Sequence, residues 1–103
     1  MQDSIFEKYP RTVAAAVDKL LAGMTFQDKT RVANMDAEKL VELHRVFDGR
    51  IQTEFRLPGN DPLMKSCAAH VGLPVLSGRQ ASYVILKVLW AELQTSNVLK
   101  VVK

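Results

Sequence analysis

The chain has 103 residues, a net charge of +3, and 48% hydrophobic against 24% charged residues. A chain of that length buries about two-thirds of its extended surface, enough for one hydrophobic core and too little for two. The composition excludes a disordered or fibrous chain. The single cysteine, Cys67, excludes an intrachain disulfide and points to a reducing compartment.

In chain order, the apolar residues recur with a helical period almost throughout. A short N-terminal piece carrying Ile5 and Phe6 ends at Tyr9-Pro10. Thr12 caps a first helix whose stripe is Val13, Val17, Leu20, Leu21 and Met24, with Gly23 at its stop. Thr25 to Asp28 has capping-box spacing and opens a short helix to about Ala33. Asp36 caps a longer helix with the stripe Leu40, Leu43, Phe47, Ile51 and Phe55. Asp48-Gly49 interrupts it, where glycine costs about 1 kcal/mol relative to alanine and leaves room for a kink or break. Leu57 to Pro62 is the strongest loop signal; Asn60 or Asp61 then caps a helix with Pro62 in its first turn. That helix carries Leu63, Met64, Cys67, Ala68 and Val71 on one face and stops at Gly72. After a second loop, a last helix runs from near Arg79 or Gln80 to about Thr95. It is apolar on most sides, so it is either central to a bundle or faces a partner. No pair of strands with a hairpin turn appears. The expected fold is all-α, a single domain over 1–103 forming an irregular orthogonal bundle of five or six helices. Its core is 9–95, and 96–103 is a tail or interaction arm.

No signal peptide is legible. Met1-Gln2-Asp3-Ser4 has no basic region, and the first apolar run, Val13 to Val17, is too short. The longest near-apolar run, Tyr83 to Ala91, is interrupted by Lys87 and falls well short of the ~20 residues that cross a bilayer. A soluble cytoplasmic protein without membrane contact is expected. Residues 62–103 carry five cations against Glu92 alone, but the cations are scattered. They read as a solvated surface, so no specific nucleic-acid binding is expected.

The segments Tyr9-Pro10-Arg11-Thr12, Ala16-Val17, Leu20-Leu21 and Asp28-Lys29 begin a pattern. Leu43-His44, Ile51, Glu54-Phe55, Leu57, Gly59-Asn60, Leu63 and Ser66-Cys67 continue it, and Ala81-Ser82, Ile85, Trp90 and Leu93 close it. Over residues 9 to 94 it resembles a family of small, mostly bacterial, all-helical domains of unknown function. The resemblance implies a helical domain and no activity. The chain departs from that pattern at Val46 and Asp48, where the family tends to have glycines, and at Gln52, where it tends to have arginine. Any binding by that arginine is therefore in doubt here.

The residues that carry chemistry are few. His44 leans toward an apolar face and reads first as a core histidine, although its pKa is movable across neutrality. Cys67 and His70 are three apart and could meet. With His44 they make at most three zinc ligands, without the paired spacing of a structural site, so no metal is expected. A catalytic Cys67 is equally disfavoured, because it sits mid-stripe at a core position. Asn60 reads as a helix cap before an anion site. Glu38, Glu42 and Arg45 form a charged outer face, and no local Ser-His-Asp motif is present. His44, Asn60 and His70 are therefore the candidate polar-site residues. No cofactor is expected, and the balance leans away from an enzyme.

The last helix has more apolar residues than one buried stripe can use. Tyr83, Leu86 and Trp90 form one row, and Val84, Ile85, Val88 and Leu89 another. One row packs on the core; the other needs a cover from the tail Val98 to Val102, from Ile5 and Phe6, or from a second chain. A homodimer built partly on Tyr83, Leu86 and Trp90 is one expectation, with intramolecular cover as the rival. The overall reading is a helical protein-interaction module without catalysis. The alternative is a helical nucleic-acid-binding domain, against which no helix carries a dense row of basic and amide side chains.

Overall fold

The computed structural model describes residues 9–95, and the expected roles of Ile5, Phe6 and the tail 96–103 lie outside the described residues. Five helices follow in order: α1 (Val13–Ala22), α2 (Phe26–Ala33), α3 (Ala37–Phe55), α4 (Asp61–Val71) and α5 (Gly78–Thr95). There is no strand among the described residues. No helix among them is long and apolar enough to cross a membrane.

Each helix starts on a cap whose side chain accepts from one of its free N–H groups. Thr12, Thr25, Asp36 and Asn60 accept from Ala15, Asp28, Lys39 and Leu63 respectively. The α5 start is a reciprocal capping box that the sequence reading overlooked. Gln80 N donates to Ser77 Oγ at 3.1 Å, and Ser77 N donates to Gln80 Oε1 at 2.8 Å. The ends of α3 and α4 are set by left-handed residues, Arg56 at φ 59° and Gly72 at φ 73°. Arg56 is a non-glycine in that region, and its guanidinium lies 5.4 Å from the centroid of the Tyr9 ring.

The break that Asp48-Gly49 leaves room for does not occur, and α3 runs unbroken for 19 residues. Gly49 is exposed, with open space around it, and glycine's propensity cost is too small to stop a helix held by packing on both sides of it. The buried line of α3 is Leu40, His44, Ile51 and Phe55, whereas Phe47 of the predicted stripe is 37% exposed.

α5 packs against each of the other four helices, and α1 also packs against α4. This explains its apolar character on nearly every side: it is the central helix. Ala81, Ile85, Leu86, Leu89 and Leu93 are buried in one core with Val17, Leu40, Phe55, Leu63 and Cys67. Three polar bonds rivet the start of the bundle. Val13 N donates to Ser66 Oγ at 3.0 Å, and Asn60 Nδ2 donates to the carbonyls of Pro10 and Phe55 at 2.9 and 3.1 Å.

Candidate functional site: a buried polar cluster and two grooves

His44, Asp48 and Gln52 follow one another at four-residue steps on α3, so they stack along one face. That face meets the first turns of α5. Ser82, fully buried, puts its Oγ 2.6 Å from His44 Nε2, 2.5 Å from Asp48 Oδ1 and 3.1 Å from the Arg79 carbonyl. Gln52 Nε2 donates to Asp48 Oδ1 at 3.0 Å, and Arg79 Nε stands 3.8 Å from Asp48 Oδ2. The Tyr83 ring meets the His44 ring edge-on, with centroids 5.0 Å apart. Gly78 lets the α5 backbone come close here, since a Cβ on it would lie 2.6 Å from Gln52 Oε1.

The proton inventory decides what this trio can do. Burial works against the Asp48 carboxylate, but its hydrogen bonds from Ser82 and Gln52, with His44 and Arg79 nearby, hold its pKa below the usual 3.8. Asp48 is therefore an acceptor only, and at 2.5 Å its charged oxygen takes the single Ser82 proton in preference to the neutral Arg79 carbonyl at 3.1 Å. His44 Nε2 must then carry a proton and donate it to Ser82 Oγ. Burial lowers the His44 pKa from 6.5, the Asp48 charge opposing that effect and Arg79 adding to it. A base for Ser82 would need a lone pair on Nε2 where this arrangement has a proton. Ser82 has no exposed surface on which to meet a substrate. The three residues of a hydrolytic triad thus meet in an order that ties two helices together and does not activate a nucleophile.

The remaining sequence candidates separate. Asn60 has its side chain committed to Leu63 N, Pro10 O and Phe55 O, so it is a rivet between segments. His70 is exposed, while Cys67 is fully buried with its thiol 3.7 Å from the Ala81 carbonyl. Burial pushes that thiol up to about 11, far from a reactive thiolate. No group of three or more His, Cys, Asp or Glu side chains among the described residues is arranged for a metal ion. The row Tyr83, Leu86, Trp90 is corrected: Leu86 is 4% exposed and belongs to the core, on the side of α5 that faces α1, α2 and α3. Trp90 is half-buried and donates from Nε1 to the Met35 carbonyl at 2.9 Å.

Sequence reasoning named His44 but missed Asp48 and Ser82. The four-residue spacing of His44 and Asp48 was readable; their partner lies 34 residues beyond Asp48, on another helix. Asp48 and Gln52 are bonded to each other inside this cluster.

Two grooves flank the core. One, of about 410 Å³, lies among α1, α2 and α3, with buried Val32, Ile51 and Leu89 beneath half-buried Leu20, Met24, Met35 and Leu43. Phe47, Asp28, Arg31, Arg50 and Glu54 line its exposed parts. The other, of about 570 Å³, runs along α5 from Tyr83 to Thr95 beside His70 and Val71 of α4. No family model, curated protein or solved structure matches the chain.

Proposed function

We propose that the protein is an interaction module with no catalysis of its own, and that the groove among α1, α2 and α3 receives an apolar helix face from a protein partner. The groove itself is the observation that supports this. It presents apolar side chains, two of them methionines, between charges of both signs from Asp28, Arg31, Arg50 and Glu54. Adaptable methionines and a partly exposed Phe47 suit the anchors of an amphipathic helix, and mixed rim charges suit its polar flanks. Val46, 75% exposed, lies three residues after Leu43 and four before Arg50 and adds apolar surface at the groove's edge. The polar cluster contributes rigidity to this surface, since its hydrogen bonds are internal. Charges of both signs along α3 give no basic stripe for a phosphate backbone, so a protein partner is favoured over nucleic acid. Kinship with the small helical domains of unknown function, cytoplasmic residence and self-association as a homodimer belong to the same proposal. The test is a photo-crosslinking side chain in place of Phe47, with a control in place of exposed Lys65, introduced in the source cells. A discrete protein adduct at position 47 and none at 65 supports the reading; equal or absent labelling at both rejects it.

A further inference from the structure

We infer that the end of α4, the loop after it and the open side of α5 form a docking face for an anionic lipid surface. This face is separate from the groove among α1, α2 and α3 and does not depend on what that groove holds.

The loop between α4 and α5 is braced at both ends. Leu73 N donates to the Ala68 carbonyl at 3.0 Å, closing α4 past left-handed Gly72, and the Ser77–Gln80 box opens α5. Leu76 is held in the core at 7% exposed. So short a span does not turn all its apolar side chains inward, and Leu73 and Val75 stand 48% and 78% exposed. Val71, 46% exposed, lines the neighbouring groove, so the apolar surface continues from the loop along α5 past half-buried Tyr83, Val88 and Trp90. Large apolar side chains gathered on one exposed face mark a contact surface. Tyrosine and tryptophan rings suit the boundary between hydrocarbon and water.

Charge selects the occupant. From Pro62 to Ala91 the chain carries exposed Lys65, Arg79 and Lys87 and no acidic residue. The carboxylate beside Arg79 is that of Asp48, which already accepts from Ser82 and Gln52. The exposed apolar surface on α3 differs: Val46 has Glu42 four residues before it and Arg50 four after it. Mixed signs suit a protein helix, whereas an apolar tip accompanied by cations alone suits hydrocarbon beneath a layer of phosphate. Such docking needs no spanning helix. The length of apolar runs, on which the expectation of no membrane contact rests, measures spanning and not surface docking.

The test is co-sedimentation of the full chain with vesicles of mixed phosphatidylglycerol and phosphatidylcholine, and with vesicles of phosphatidylcholine alone. The wild type is expected to pellet with the first, to stay in solution with the second, and to be released as salt rises. Val75→Asp is expected to weaken binding about tenfold, and Lys87→Gln about fivefold. Val46→Asp adds the same charge at a valine of nearly the same exposure and is expected to change binding little. All three positions are exposed, so helix content by circular dichroism is expected to stay unchanged in every variant. A wild type that fails to pellet with the anionic vesicles, or pellets equally with the neutral ones, overturns the proposal. Binding that is indifferent to Val75→Asp, or that falls equally in Val46→Asp, overturns it as well. None of these outcomes alters the crosslinking result at Phe47, because that experiment reads the other groove.

Discussion

The two ends of α5 are held by different chemistry. Near its start, Ser82 joins α5 to α3 through His44 and Asp48, two titratable groups. Near its end, Trp90 Nε1 donates to the Met35 carbonyl, and Gln94 Nε2 donates to the Ala33 and Met35 carbonyls at 3.1 and 3.4 Å. That second anchor contains no group that changes charge. Both fix the central helix, but only the first couples its position to pH. The difference follows from what each end meets. The first turns of α5 lie on the side of α3, whose backbone groups are already paired, so side chains supply the partners. The last turns reach the α2–α3 junction, where the carbonyls of Ala33 and Met35, past the end of the helical bonding, are free to accept.

The largest expected effect comes from removing the shared hydroxyl. Ser82→Ala leaves the His44 N–H and one Asp48 lone pair without their buried partner and is expected to cost about 2–3 kcal/mol in urea unfolding. A smaller effect is expected from Asp48→Asn, about 1–2 kcal/mol, because the amide occupies the same space but loses the charge-assisted bonds. At the other end, Trp90→Phe keeps most of the ring and removes the donor. About 1 kcal/mol is expected, since Gln94 still donates to the Met35 carbonyl. If Trp90→Phe proves more costly than Ser82→Ala, the two anchors rank the other way.

The pH dependence separates the ends further. His44 is lowered from 6.5 in the folded state, so the unfolded chain binds more protons as pH falls below that value. Asp48 is lowered from 3.8, so its contribution is present above that value and lost as pH falls through the folded pKa. Both act in one direction: stability declines on acidification, first below about pH 6.5 through His44 and then further through Asp48. Thermal melts at stepped pH should show this decline in wild type and in Trp90→Phe. In a His44→Gln variant the upper part of the slope should be lost, and a slope that persists unchanged there would remove His44 from the account.

The smallest expected change lies next to Asp48 in sequence but on an exposed position of α3. Gly49→Ala introduces a Cβ that meets nothing within 4 Å on an exposed position of α3. It is expected to raise stability by about 0.5–1 kcal/mol, independent of pH in the range where the cluster titrates. A loss instead would mean that the α3 backbone at Gly49 is constrained by more than its neighbours in space.

The sequence by itself determined the helices and most of their ends. Thr12, Thr25, Asp36 and Asn60 cap where their side chains reach a free N–H three residues on, and that geometry is local. It also made Cys67 and most of the apolar stripes core, since periodicity fixes which residues share a face. Tertiary structure alone decided which face of α5 was spent on the bundle. Leu86 and Trp90 share a row in sequence, yet Leu86 is buried among neighbours while Trp90 reaches across to the Met35 carbonyl. The continuity of α3 through Gly49 was likewise decided by packing, which outweighs a propensity cost of about 1 kcal/mol. The meeting of His44, Asp48 and Ser82 could not be read from spacing. Helical period places His44 and Asp48 on one face, but the partner of that face is chosen by how α5 threads the bundle. Whether such a trio activates a nucleophile or ties helices together is set by which atom holds each proton, and that depends on distances and burial that only the folded chain supplies.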